Sequence, residues 1–190
     1  MTQAEALVLL EGTGAVCRGH FVLSSGLHSP VYVQCARVLQ YPEHATRLAA
    51  ALRSQVAADR IAAVVAPALG GIMLGYELAQ QFGARALFVE RGSDGRFALR
   101  RGFQLAPGER VVVAEDVLTT GGSTRETVTV VQGTGAEVVA IVALVDRSGG
   151  GVTFDVPLST LVRLELETYA ATDCPQCRAG IPLEKPGSRR

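Results

Sequence analysis

The sequence predicts an α/β protein whose mostly parallel central sheet carries helices on both faces. Short apolar runs at Ile61 to Ala66, Ala86 to Glu90, Val111 to Ala114 and Val138 to Val145 alternate with segments of helical spacing, and that alternation calls for β-α-β units. The runs lack a polar alternation, as in strands covered on both sides. Paired glycines, Gly70-Gly71 and Gly121-Gly122, stand where a strand gives way to a helix.

The elements follow in order. Thr2 to Thr13 predicts a short helix closed by Gly12 or Gly14. Phe21 to Val38 reads as two extended pieces around a turn, with Ser24-Ser25-Gly26 and Ser29-Pro30 as punctuation. From Pro42 to Asp59, Ala45, Leu48, Ala49, Leu52 and Val56 recur at helical spacing, which predicts an amphipathic helix packed on the sheet. The strand from Ile61 leads through a loop into a helix over Ile72 to Phe82. The strand from Ala86 leads into a basic loop over Arg91 to Gly102. The strand from Val111 precedes a helix over Ser123 to Thr134, and Val138 to Val145 forms a further strand. Asp173 to Arg190 is turn-rich with a basic end, and its last few residues are expected to lack fixed structure.

At 190 residues, 48% hydrophobic and 19% charged, the chain suits one domain over 1–190 with a sizeable core. Eighteen basic and eighteen acidic residues cancel and are spread along the chain, which leaves no electrostatic footprint for nucleic acid. The N-terminus has an acid early, no basic n-region and too short an apolar stretch for export. No apolar run approaches the ~20 residues that span a bilayer. A cytoplasmic protein is expected. The chain has no asparagine, and seventeen of its eighteen basic residues are arginine.

Four cysteines, Cys17, Cys35, Cys174 and Cys177, in a chain of this size are expected as thiols. Cys174-Pro-Gln-Cys177 has the spacing of half a zinc site. No second pair is nearby in sequence, and the histidines lie at positions 20, 28 and 44, so no metal is expected there.

The most informative segment is Val111 to Thr124, VVVAEDVLTTGGST. A buried strand delivers Glu115 and Asp116 to the sheet edge, where open α/β sheets bind ligands. In Thr119-Thr120-Gly121-Gly122-Ser123 the glycines admit a ligand close to the backbone, hydroxyls and N–H groups can donate to phosphate oxygens, and the next helix adds its dipole. An anion would repel the two acids, so they need another partner. Ribose hydroxyls or a hydrated Mg²⁺ would suit them. A P-loop is excluded, because no GxxxxGK[ST] occurs and Lys185 is the only lysine.

This segment resembles the phosphoribosyl diphosphate (PRPP) motif of the type I phosphoribosyltransferases. The resemblance implies their fold, a mostly parallel sheet flanked by helices with a small N-terminal hood, built here mainly from about 1–40 and part of the C-terminal region. It assigns Glu115, Asp116, Val117, Leu118, Thr119, Thr120, Gly121, Gly122 and Ser123 to PRPP. Pro67-Ala68-Leu69-Gly70-Gly71 follows a strand and starts a helix, matching the family's pyrophosphate loop through Ala68, Leu69 and Gly70. Arg91 matches the start of the family's mobile basic loop. The lysines and histidine usual in that loop are absent, leaving Arg96, Arg100 and Arg101.

Phe21 to Val33, FVLSSGLHSPVYV, resembles the start of the orotate phosphoribosyltransferases, where a Ser-Gly turn and a Ser-Pro step form a hood over the pyrimidine. The resemblance implies that Ser25, Val31, Tyr32, Thr119 and Arg147 meet orotate. Arginine offers a planar fork for a carboxylate. Arg147 also follows Asp146, and a surface Asp-Arg pair is the competing reading. Many relatives carry lysine where this chain has Ser24. The implied reaction joins orotate to the phosphoribosyl group of PRPP and releases pyrophosphate, with Glu115, Asp116 and Arg91 as catalytic groups and Mg²⁺ borne chiefly by PRPP, in part through Asp116. The implied assembly is a homodimer in which loop 91–102 reaches the partner subunit's site. A phosphoribosyltransferase for another base and a PRPP-sensing regulator are the alternatives.

Overall fold

The computed structural model describes residues 1–23 and 25–186. Ser24 and the terminal residues 187–190, expected above to lack fixed structure, lie outside the described residues.

Six strands form the main sheet in the order β5-β4-β3-β6-β7-β8. These are β3 (Ala63–Pro67), β4 (Arg85–Arg91), β5 (Phe97–Leu99), β6 (Arg110–Leu118), β7 (Glu137–Asp146) and β8 (Leu158–Arg163). All neighbours run parallel except β4 and β5, which pair antiparallel. Alternate residues of the buried strands feed two cores. Val64, Ala66, Val112, Ala114, Val142 and Leu144 face one side, with α1 (Gln3–Gly12), α2 (Ala36–Leu39), α3 (Pro42–Arg53) and α4 (Gly71–Phe82). Ala63, Val65, Val111, Val113 and Ile141 face the other, where Val131 of α5 (Gly122–Gln132) packs on them. Both faces are covered, as uninterrupted apolar strands require.

The predicted elements appear with shifted limits. The helix from Pro42 ends at Arg53 rather than Asp59. The motif strand runs four residues beyond Ala114, because Glu115, Val117 and Leu118 keep pairing with Ala143, Val145 and Asp146. The arginine loop is a hairpin, with Arg91 opposite Phe97 and Val89 opposite Leu99.

The N-terminal region differs more. Strand β1 (Val16–Val22) begins before Phe21 and pairs antiparallel with β2 (His28–Val33) in a separate two-stranded sheet, the hood. The extended reading to Val38 fails at its end, where Ala36–Leu39 forms a helical turn. Two strands alone are marginal in water, and here the C-terminal segment borders both. Val22 N–H donates to the Glu184 carbonyl at 2.9 Å and Glu184 N–H to that of His20 at 2.8 Å. On the other edge His28 and Tyr169 exchange both backbone hydrogen bonds, at 2.8 and 2.9 Å. Strand β8 had no counterpart in the sequence reading. Among the described residues, no helix is long and apolar enough to cross a membrane.

Candidate active site

The C-terminal ends of β3, β4, β6 and β7 converge on one edge of the sheet, where parallel α/β sheets hold ligands. A polar cleft of about 240 Å³ opens there, lined by Arg91, Glu115, Val117 to Thr124 and Glu126. A larger open hollow of about 530 Å³ lies beside Arg85 to Leu87 and Gly102 to Gln104, at the start of β4, away from those strand ends.

The Thr119 to Ser123 end of the cleft is a turn leading into α5. Gly121 precedes α5 with φ of 75°, the left-handed region, and a Cβ there would stand 2.8 Å from Val152 Cγ1. Only glycine gives this turn without strain. No side chain caps α5, nor α4 behind Gly70, whereas α1 is closed by a Thr2/Glu5 capping box. Two helix starts with uncapped N–H groups thus stand at the cleft, an arrangement suited to anions. Thr119 and Thr120 are exposed at its rim, while the Leu118 side chain is in the core and its carbonyl accepts Arg147 N–H at 2.8 Å.

The two acids differ in their surroundings. Glu115 is buried, and Thr124 Oγ1 donates to its Oε2 at 3.0 Å. Burial, with the Asp116 carboxylate beside it, pushes the Glu115 carboxyl up to about 8. Asp116 is also raised by burial. Its carboxylate lies against Gly70 of the loop after β3, since a Cβ there would stand 2.6 Å from Oδ2. The adjacent Ala68-Leu69 peptide is cis and Leu69 is 77% exposed. Gly70 and Asp116 therefore meet, although one follows β3 and the other lies on β6.

Arg91 reaches the cleft with a bidentate grip on Glu126, at 3.0 and 3.3 Å, and lies 4.1 Å over the Phe97 ring. Arg101 pairs instead with Glu90 at 3.0 Å. Arg96 and Arg100 enter no ion pair among the described residues. Glu126 was not anticipated from sequence, being one helical residue among many until Arg91 is placed beside it.

Arg147 does not pair with Asp146, so the surface-pair reading fails. Asp146 accepts from Ser148 N–H at 2.8 Å and lies 3.9 Å from Arg163. The Arg147 Nε is buried and has no hydrogen-bond partner among the described residues. Burial pulls its guanidinium below the ordinary value, and Tyr32 of the hood is close enough to oppose that shift. The hood thus comes to the sheet edge at Tyr32, where Arg147 and Asp116 both act on the phenol. Val31 N–H donates to Ser29 Oγ at 3.2 Å. Ser25 is exposed and its hydroxyl accepts from Leu27 N–H at 3.4 Å, within its own turn.

Fold and cleft together define a phosphoribosyl-transferring enzyme, and the family model described as the phosphoribosyl transferase domain matches residues 36–155. The orotate phosphoribosyltransferase of Caldanaerobacter subterraneus subsp. tengcongensis is 46% identical over 190 residues, covering 100% of both chains. That of Thermotoga maritima is 49% identical over 181 residues, 95% of this chain and 96% of the other. Among solved structures, orotate phosphoribosyltransferase from Aeropyrum pernix superposes with a TM-score of 0.70 at 32% identity, covering 84% of this chain and 93% of that one. The chain belongs to the orotate phosphoribosyltransferase family.

Proposed function

We propose that the enzyme transfers the 5-phosphoribosyl group of PRPP to orotate, giving orotidine 5′-monophosphate and pyrophosphate in pyrimidine biosynthesis. The observation that carries the choice of base is Arg147, a half-buried guanidinium whose Nε has no protein partner and which stands where β7 ends beside the hood. Leaving such a donor unsatisfied is unfavourable in the free protein and favours a substrate that brings a carboxylate.

Cleavage of the C1–O bond develops oxocarbenium character on ribose and charge on the departing pyrophosphate. Thr119 to Ser123 hold the 5′-phosphate through hydroxyls and the start of α5. Glu115 and Asp116 take the ribose hydroxyls. Arg91 exchanges Glu126 for the leaving pyrophosphate, and the loop of Ala68 to Gly70 holds its other side. The donor set fits Mg²⁺ carried by substrate oxygens: Glu115 is engaged with Thr124, and Asp116 is the carboxylate on offer. When bound, such an ion neutralises pyrophosphate charge. Orotate attacks through its own ring nitrogen, so no covalent nucleophile is assigned.

Exposed Met73 and Tyr76 lie three residues apart on one face of the first turns of α4, and with exposed Leu69 in the loop before it they offer an apolar patch to a second copy. In the proposed homodimer, Arg96 and Arg100 of the hairpin serve the partner subunit's cleft. The proposed location is the cytoplasm.

Pyrophosphate release measured in parallel with orotate, uracil, hypoxanthine and adenine tests the base. Turnover is expected with orotate alone, and activity on a purine without orotate would overturn the proposal. Light scattering tests the dimer.

A further inference from the structure

Away from the cleft, the fold gathers four residues that no step of the reaction uses. His20 and His28 come from the paired hood strands, Cys174 and Cys177 from the far end of the chain, and their ligating atoms all lie within 4.8 Å of one another. His20 Nε2 is 3.0 Å from His28 Nδ1 and 3.4 Å from Cys174 Sγ. Cys177 Sγ is 3.6 Å from His20 Nε2 and 3.3 Å from His28 Nδ1. The sequence expectation of no metal at Cys174-Pro-Gln-Cys177 rested on the lack of partners nearby in sequence, and the fold brings two histidines from about 150 residues upstream beside the pair.

We propose that His20, His28, Cys174 and Cys177 form a structural Zn²⁺ site that fastens the hood to the C-terminal segment. Zinc bonds of about 2.0–2.1 Å to nitrogen and about 2.3 Å to sulfur define a tetrahedron with edges of roughly 3.3 Å between nitrogens and 3.6 Å between nitrogen and sulfur. The four separations given are close to those edges and the remaining two are at most 4.8 Å, so modest adjustments seat one ion. Two sulfurs with two imidazoles at tetrahedral spacing is a donor set that selects zinc over magnesium or calcium.

The surroundings support the assignment. Ile181 carbonyl lies 2.8 Å from His20 Nδ1. A proton on Nδ1 satisfies that carbonyl and leaves Nε2 bare toward the cluster, the outer-shell arrangement that orients a metal-ligating histidine. His20, His28 and Cys174 are buried, while Cys177 is exposed and gives the ion an entry path. Four protein ligands close the site, which marks it as structural rather than catalytic. Both cysteines are free thiols, and Cys174 sits at the start of the short helix α6 (Pro175–Arg178), so the pair is presented on one turn.

The site holds the hood in place. The hood is a two-stranded sheet outside the main one, and His28 opens β2, the strand that carries Tyr32 to the cleft. A metal cross-link between β2 and residues 174–177 stabilises the hood beyond what its edge hydrogen bonds provide.

Elemental analysis of untagged protein, purified without chelator and then equilibrated with Zn²⁺ and desalted, is expected to find stoichiometric zinc. Cys174→Ser with Cys177→Ser should lose it. Cobalt substitution should give the bands of tetrahedral Co²⁺ together with a thiolate charge-transfer band, and Cys177→His should keep the former while weakening the latter. Chelation should lower the melting temperature, with recovery on Zn²⁺ and none on Mg²⁺. Native protein that stays zinc-free after equilibration, with both thiols freely reactive or joined as a disulfide, would overturn the proposal. Metal content is read without any base, so this outcome is separate from the substrate assignment.

Discussion

The Arg91 guanidinium holds the Glu126 carboxylate through two hydrogen bonds of 3.0 and 3.3 Å at the polar cleft they both line. Both groups are substantially exposed, at 36% and 45%, and a pair of that kind contributes about 0–1 kcal/mol. Displacing Glu126 from Arg91, as the proposed exchange with pyrophosphate requires, therefore costs little. Arg91→Ala is expected to lower kcat/KM for PRPP by roughly 10²-fold, the loss typical of one preorganised charge. Glu126→Gln should leave kcat nearly unchanged and reduce the KM for PRPP. Steady-state kinetics with varied PRPP separate the two, and equal losses in both variants would refute the exchange.

Arg147→Ala should raise the KM for orotate by roughly 10- to 100-fold, the range for losing a charge-assisted hydrogen bond. Melting temperature should hold or rise, because a guanidinium with a buried, unpartnered Nε is removed. An unaltered KM would dispose of the carboxylate contact.

Gly70→Ala places a methyl carbon 2.6 Å from Asp116 Oδ2 and 2.9 Å from Cγ. Either the carboxylate or the pyrophosphate loop must move. The expected result is a fall in kcat/KM for PRPP much larger than any loss of thermal stability. Activity equal to the parent enzyme would mean that the contact is dispensable.

The pH dependence of stability follows from Glu115. Its carboxyl in the folded protein is raised from 4.5 to about 8, chiefly by burial. Between those values the folded state keeps a proton that the unfolded chain has released, so stability is full below about pH 4.5 and declines as pH rises toward 8. Asp116, also raised, acts in the same direction. Substrate-free protein should melt at lower temperature at pH 8 than at pH 5, and Glu115→Gln should flatten that slope. A scanning-calorimetry series in which both proteins respond identically would exclude Glu115 as the cause.

The cleft segment proposed to hold PRPP was legible as strand, turn and helix because its signals are local. Acids, hydroxyls and glycines stand within Glu115 to Ser123, and strand, turn and helix each carry their own signal. Contacts between strand ends were legible only as positions: nothing in Gly70 or Asp116 alone announces that they touch. Strand β8 went unread because it is an edge strand with only Leu161 and Val162 buried. Strand β1 is broken by a bulge between Arg18 and Phe21, which disrupts the alternation that would reveal it. The four-residue cluster was hidden for a different reason, since a CxxC pair advertises its partners only when they are near in sequence.

The hood's dependence on residues 169 and 181–184 carries a consequence for synthesis. Strand β1 leaves the ribosome early, yet the backbone groups that border it, at Glu184, and the carbonyl that faces His20, at Ile181, are made some 160 residues later. The hood strands cannot complete these edge hydrogen bonds until the C-terminal segment has been made. A nascent or truncated chain lacking that segment would leave both outer edges of the two-stranded hood unpaired.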